Sequence, residues 1–178
     1  RDDALDQLVV KHWGRVAEGT PEQRLAEMRR INNDLRAAPG DARAGKPLFA
    51  KNCGTCHRLF GEGNQIGPEL THANRKNTAE LLNTIVSPSS VVRREYMNFL
   101  LQTTEGRVLT GLLVDQTPGS VTLLDAKNQR TTVPRARIET LHESPTSLMP
   151  DNLLAELEPQ QLRDLFAYLQ SDPPQDDK

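Results

Sequence analysis

The sequence predicts a mainly α-helical fold, interrupted by a small antiparallel β segment and preceded by a helical extension. Three observations carry that prediction. Apolar residues recur at helical spacing in residues 4–17, 25–35, 81–86 and 162–169. Between residues 94 and 141 the texture changes to short β-rich runs separated by turn signals. The only two cysteines of the chain fall together in Cys53-Gly54-Thr55-Cys56-His57, directly after a short helical run.

The bulk properties bound the possibilities. A chain of 178 residues suits one domain, or a compact domain with a small appendage, and is long enough to bury a core. The net charge of −2, with the signs well mixed, lacks the basic stripe that nucleic acid would favour. No apolar run approaches the ~20 residues of a membrane span. The chain starts at Arg1 with neither an initiator Met nor a secretory signal, which reads as a processed protein or a piece of a longer one.

Each element has its own justification. Leu5, Leu8, Val9, Trp13 and Val16 form a helical stripe in residues 4–17. Thr20-Pro21-Glu22-Gln23 reads as an N-cap, a proline at the first helical position and a capping-box partner. Leu25, Met28, Ile31 and Leu35 continue that second helix, which Pro39-Gly40 ends. These two stripes read as an appended hairpin, residues 1–40, that packs on the rest of the protein. A third helix spans 41–52, with Gly45, Leu48 and Phe49 on its apolar side. Pro47 removes a backbone hydrogen bond there, so a late start near Ala44 or an irregular beginning is expected.

Gly61, Gly63, Gly67 and Pro68 mark a loop without regular structure. Asn77-Thr78-Ala79-Glu80 opens a helix by a capping box, Leu81, Leu82, Ile85 and Val86 form its buried face, and Ser87-Pro88 stops it. Five β runs follow, at 96–103, 107–114, 120–125, 130–133 and 137–141. Gly111, inside a run, predicts a bulge or a sharp bend. Such strands close into a small barrel or pack as a curled sheet. Val108, Thr110, Leu112 and Val114 alternate with Leu109, Gly111 and Leu113, a pattern that can bury one face on the sheet itself and the other on the rest of the protein. The segment 94–141 is therefore expected to be a self-contained insert. Pro159 opens a last helix with Leu162, Leu165, Phe166 and Leu169 on one face. Asp172-Pro173-Pro174 ends it, and 173–178 reads as a frayed tail.

The pentapeptide at 53–57 carries the chemistry. C-x-x-C-H is the attachment sequence for a covalent c-type haem. One helical turn presents both thiols to the two vinyl groups on one porphyrin edge, and the adjoining His57 reaches the iron as proximal ligand. A thioredoxin-like C-x-x-C belongs near a β-α-β pattern, and no strand precedes Cys53. A zinc site needs a second Cys or His pair at ligand spacing, and none is present. Aromatic residues make up only 4% of the chain, and a porphyrin would supply the missing flat apolar body. Such thiols are loaded outside the cytoplasm, which points to the periplasm or the outer cell surface.

A c-type iron with His57 on one side is capped by Met, by His or by nothing. Met28 lies on a helical stripe and Met97 in a β run beside Tyr96 and Phe99, both places for core filling. Ser147-Leu148-Met149-Pro150 is an irregular segment in which a thioether can be aimed without breaking a backbone ladder, so Met149 is the favoured sixth ligand. His72 follows the glycine loop and His142 the last strand, and each stays open as a distal ligand; His12, beside Trp13, reads as a surface or interface residue.

With these residues in view, helix 41–52, CGTCH, the Gly67-Pro68 loop, Met149 and helix 159–170 resemble a class I cytochrome c core. The resemblance implies that the Pro68 carbonyl holds the His57 imidazole. It also implies that the first and last helices cross at Gly45, Phe49 and Tyr168. Over residues 11 to 170 the chain more closely resembles the PVC-type, or planctomycete-type, haem-binding domain. The matching pieces are residues 61–71 (GEGNQIGPELT), 106–111 (GRVLTG), 147–150 (SLMP) and 162–169 (LRDLFAYL). That likeness implies one covalent haem c on Cys53 and Cys56, contacted by Ile66 and Pro68, with iron held by His57 and Met149. It assigns 41–93 and 142–172 to the haem domain.

The function expected from this is one-electron transfer, without bond chemistry of the protein's own. The expected partner is a redox protein or a fused dehydrogenase-like domain. A redox or gas-ligand sensor with a displaceable Met149 is the alternative. A haem enzyme such as a peroxidase would need an open iron and distal acid–base groups, for which His72 and His142 are the histidine candidates.

Overall fold

The computed structural model describes residues 20–173. They part into two compact units, one made of residues 20–90 and 150–173, the other of 91–149. The stripe expected at 4–17, with His12 and Trp13, and the tail beyond 173 lie outside the described residues.

The first unit is helical. Helix α1 (Pro21–Ala37) starts as its capping box predicts: the Thr20 hydroxyl accepts from the Gln23 N–H, and the Gln23 side chain accepts from the Thr20 N–H. Its apolar stripe is only partly used. Ile31 is fully buried, Met28 is half-buried, and Leu25 is 45% exposed, so Leu25 is not the core residue its spacing suggests. Helix α2 (Ala42–Asn52) corrects the expectation of a late start. The Asp41 carboxylate accepts from the Arg43 N–H at 2.8 Å, so the helix starts at Ala42, two residues before Ala44. Pro47 is accommodated inside the helix, where it forfeits only the bond its absent N–H would make one turn back.

Helix α3 (Thr78–Val86) is capped by Asn77, whose side chain accepts from the Glu80 N–H, and it buries Leu82 and Ile85. Helix α4 (Pro159–Leu169) buries Leu162, Leu165, Phe166, Tyr168 and Leu169 on one face, with Asp164 among them. α1 packs on both α3 and α4.

The tightest joint in this unit is the crossing of α2 and α4. Gly45 lets the helices touch backbone to backbone: a Cβ there would lie 1.9 Å from the Asp164 carbonyl oxygen. The Phe49 and Tyr168 rings pack with centroids 5.5 Å apart beside it. The Asp164 carboxylate accepts the Asp41 N–H at 2.8 Å, so α4 also satisfies a backbone donor at the start of α2.

The second unit is a five-stranded antiparallel sheet, formed by β3 (Asn98–Thr103), β4 (Val108–Gln116), β5 (Ser120–Leu124), β6 (Arg130–Pro134) and β7 (Ile138–Glu143). The strand order is β6-β5-β4-β3-β7, meandering except that the last strand returns beside the first. Leu101, Val121, Leu123 and Val133 form its core, joined by Phe99, Leu109, Leu113, Ile138 and Leu141. Both edge strands contribute to that one cluster, so the sheet curls on itself. Gly111 is no bulge: it pairs in register with Phe99, and the register shifts instead between Leu113 and Asp115. Glycine is needed at 111 because a Cβ would lie 2.5 Å from the Leu124 carbonyl oxygen. Tyr96 falls in a 3-10 turn (Arg94–Tyr96) before β3, not in the strand.

Candidate functional site

The C-terminus of α2 builds the site. Cys53 is its C-cap, with its N–H on the Phe49 carbonyl at 2.8 Å. The next turn closes on Cys53 itself, whose carbonyl accepts from the N–H groups of Cys56 (3.0 Å) and His57 (2.8 Å). Both thiols are therefore carried on a single turn, and both are free. Burial, and then the neighbouring Cys56, push the Cys53 thiol up to about 12, so it stays protonated at neutral pH.

His57 is fixed by the loop that follows. Its Nδ1 lies 2.9 Å from the Pro68 carbonyl oxygen. A carbonyl can only accept, so Nδ1 carries the proton and Nε2 keeps its lone pair. Burial lowers the His57 pKa and so favours the neutral ring a metal requires, and the hydrogen bond to Pro68 opposes it in part. Gly67 lies against the imidazole: a Cβ there would be 2.5 Å from Cε1. Ile66 is 3% exposed and donates its N–H to the Cys56 carbonyl. This donor set fits haem c: two thiols on one turn, then an imidazole with a free Nε2 on a clamped ring.

The glycine loop holds regular structure that its composition does not reveal. Strands β1 (Arg58–Leu59) and β2 (Glu62–Gly63) form a minimal hairpin around Phe60 and Gly61, both at positive φ (52° and 82°). Glycine suits that turn, whereas a left-handed phenylalanine is strained. Three contacts hold Phe60 there. Its N–H donates to the Thr71 hydroxyl at 2.8 Å, its ring meets Tyr168 edge-on, and the Arg75 guanidinium lies 4.9 Å from the ring centre. Thr71 in turn donates its N–H and hydroxyl to Glu69, which holds that carboxyl below its ordinary range.

Arg75 has no local sequence signal. It is 7% exposed and donates to the carbonyls of Leu169, Ser171 (3.0 Å) and Thr71 (3.2 Å). It thereby ties the end of α4 to the loop that carries Pro68.

Cys53, Cys56, His57, Ile66 and Pro68 are brought together in the helical unit. Met149 belongs to the sheet's unit, half-buried in an irregular stretch after β7, with its N–H on the Ser147 hydroxyl. Met28 and Met97 are half-buried. His72 is exposed, and His142 lies on exposed positions within β7, paired with Leu100, rather than after the last strand as expected. No group of three or more His, Cys, Asp or Glu side chains among the described residues is arranged to hold a metal ion. No described helix is long and apolar enough to cross a membrane.

Over 32 residues, 17% of this chain, the sequence is 59% identical to the cytochromes c of Cochliobolus lunatus and Arabidopsis thaliana. The chain spans 30% and 29% of the lengths of those relatives. Residues 42–93, which hold Cys53, Cys56, His57 and Pro68, match the Cytochrome c family model. The match supports a class I c-type cytochrome domain over residues 42–93, whose Cys53 and Cys56 are the cysteines through which such a domain binds haem c covalently.

Proposed function

We propose that this chain is a one-electron carrier, a c-type cytochrome domain of the PVC type. It passes electrons between a redox partner, or a fused dehydrogenase-like domain, and an acceptor. The observation that carries the reading is the clamped imidazole: His57 Nδ1 donates to the Pro68 carbonyl at 2.9 Å, directly after the two thiols. Haem iron, when bound, supplies the ferrous–ferric couple.

The chain's own residues do the rest. Cys53 and Cys56 would hold the haem, and His57 would offer it Nε2 from a ring tied to the Pro68 carbonyl. Met149, which lies in an irregular segment, would offer the iron its thioether. A thioether there favours the ferrous form and raises the potential relative to a second histidine. Iron held by both His57 and Met149 would suit one-electron exchange. The proposed compartment is the periplasm or the outer cell surface, where thiols are loaded with haem.

A mediated redox titration of the haem-loaded chain tests this. The expected result is one reversible transition with a one-electron slope and no change of ligation. A transition coupled to ligand loss, or turnover of hydrogen peroxide, would favour the sensor or the enzyme instead.

A further inference from the structure

Between the two attachment cysteines lie Gly54 and Thr55, and their peptide groups set how the two sulfurs are spaced. Both carbonyls are held by one residue. The Asn64 N–H donates to the Gly54 carbonyl at 3.0 Å, and the Asn64 carboxamide donates to the Thr55 carbonyl at 3.1 Å. The rest of the loop continues the row: Ile66 and Gly67 N–H groups on the Cys56 carbonyl, and the Leu70 N–H on the Arg58 carbonyl. In this row, among the described residues, the Asn64 carboxamide is the one side-chain donor. Asn64 is exposed, so it fills no core, and water would satisfy the Thr55 carbonyl in its absence.

We propose that Asn64 is a positioning residue for haem attachment, its two donors pinning the Gly54–Thr55 segment so that Cys53 and Cys56 are presented together. The proposal rests on covalent haem c and not on the electron-carrier reading, so either can fail alone. Each attachment adds a cysteine S–H across a vinyl double bond: sulfur bonds the inner carbon, hydrogen ends on the outer one, and no electron enters or leaves. Once the first addition has fixed the porphyrin, the second needs the other thiol held at the remaining vinyl group. A loosened 54–55 segment lets the first proceed and handicaps the second.

The test compares haem-loaded wild type with Asn64→Asp, Asn64→Gln and, as a neighbouring exposed control, Gln65→Ala. Asn64→Asp keeps the backbone donor and sets an oxygen against the Thr55 carbonyl, whereas Asn64→Gln keeps a carboxamide. Thioethers are counted by mass spectrometry of the haem peptide and by the position of the pyridine haemochrome band. Losing one net hydrogen bond predicts about a fivefold rise in single-thioether chains for Asn64→Asp. Asn64→Gln should recover most of the double attachment, and Gln65→Ala should match wild type. Thermal midpoints of all four should agree within about 4 °C, since the lost bond is exposed. Wild-type double attachment in Asn64→Asp would overturn the proposal. So would a fall in the midpoint that tracks the loss of haem, which would make Asn64 merely structural, or a failure of Asn64→Gln to differ from Asn64→Asp.

Discussion

Replacing Gly45 by alanine tests the joint on which the attachment turn is built. Alanine is the better helix former, by ~1 kcal/mol in a helix interior, so propensity alone predicts a more stable protein. Packing predicts the reverse. The new Cβ would lie 1.9 Å from the Asp164 carbonyl oxygen, 2.6 Å from its carbon and 2.8 Å from the Tyr168 Cβ. Two of those atoms are backbone, so no rotamer change relieves the overlap. Ordinary contacts lie near 3.5 Å, so α2 and α4 must part by roughly 1.5 Å. Separation also stretches the 2.8 Å bond from the Asp41 N–H to Asp164 and loosens the Phe49–Tyr168 contact. Overpacking of this kind costs ~3 kcal/mol, leaving a net loss of about 2 kcal/mol once the propensity gain is subtracted. For a chain of this size that lowers the thermal midpoint by ~4–8 °C. The assay is thermal unfolding of the haem-loaded chain followed by far-ultraviolet circular dichroism. Gly119→Ala is the control, because a Cβ there meets nothing within 4 Å. A Gly45→Ala protein that melts at or above the wild-type midpoint would refute the backbone contact.

Arg75→Met keeps an apolar stem but leaves the carbonyls of Leu169, Ser171 and Thr71 without their donor. A loss of ~2 kcal/mol in urea unfolding is expected, and unchanged stability would show that the clamp contributes nothing. Gly67→Ala sets a Cβ 2.5 Å from His57 Cε1, so the ferric absorption spectrum should shift toward the high-spin form; a wild-type spectrum would show that the ring tolerates the methyl. Changing both Cys53 and Cys56 to alanine should leave haem that acid–acetone extracts intact, whereas extraction of intact haem from the wild type would contradict covalent attachment.

What the sequence discloses is what local spacing encodes. The cysteine pair with His57, the capping residues Thr20 and Asn77, and the five β runs are all short-range patterns, and each is present, although the first strand begins only at Asn98 and the last runs on to Glu143. The crossing at Gly45, Phe49 and Tyr168 and the Pro68 contact to His57 follow from the family likeness and are present in the fold. The misses have a common cause. Pro47 predicts a late or irregular start because its one lost bond is visible, whereas the tie from the Asp41 N–H to Asp164 of α4, which supports the earlier start beside the local Asp41 cap, lies 123 positions away. Phe60 lacks the residue type a tight hairpin prefers and is held by Thr71, Tyr168 and Arg75. The work of Arg75 depends on carbonyls 94 and 96 residues further on. Gly111 answers to the backbone of a neighbouring strand and not to its own. No local periodicity carries such information.

The most direct test of the account is the absorption spectrum of the haem-loaded chain in both oxidation states, with and without carbon monoxide, for wild type and Met149→Ala. The account predicts a low-spin iron in the wild type, a methionine–iron charge-transfer band in the ferric state, and no response of the ferrous state to carbon monoxide. Met149→Ala should lose the band and bind the gas, while Met28→Ala and Met97→Ala should behave as wild type. A bis-histidine spectrum, or a wild-type ferrous iron that takes up carbon monoxide freely, would contradict it.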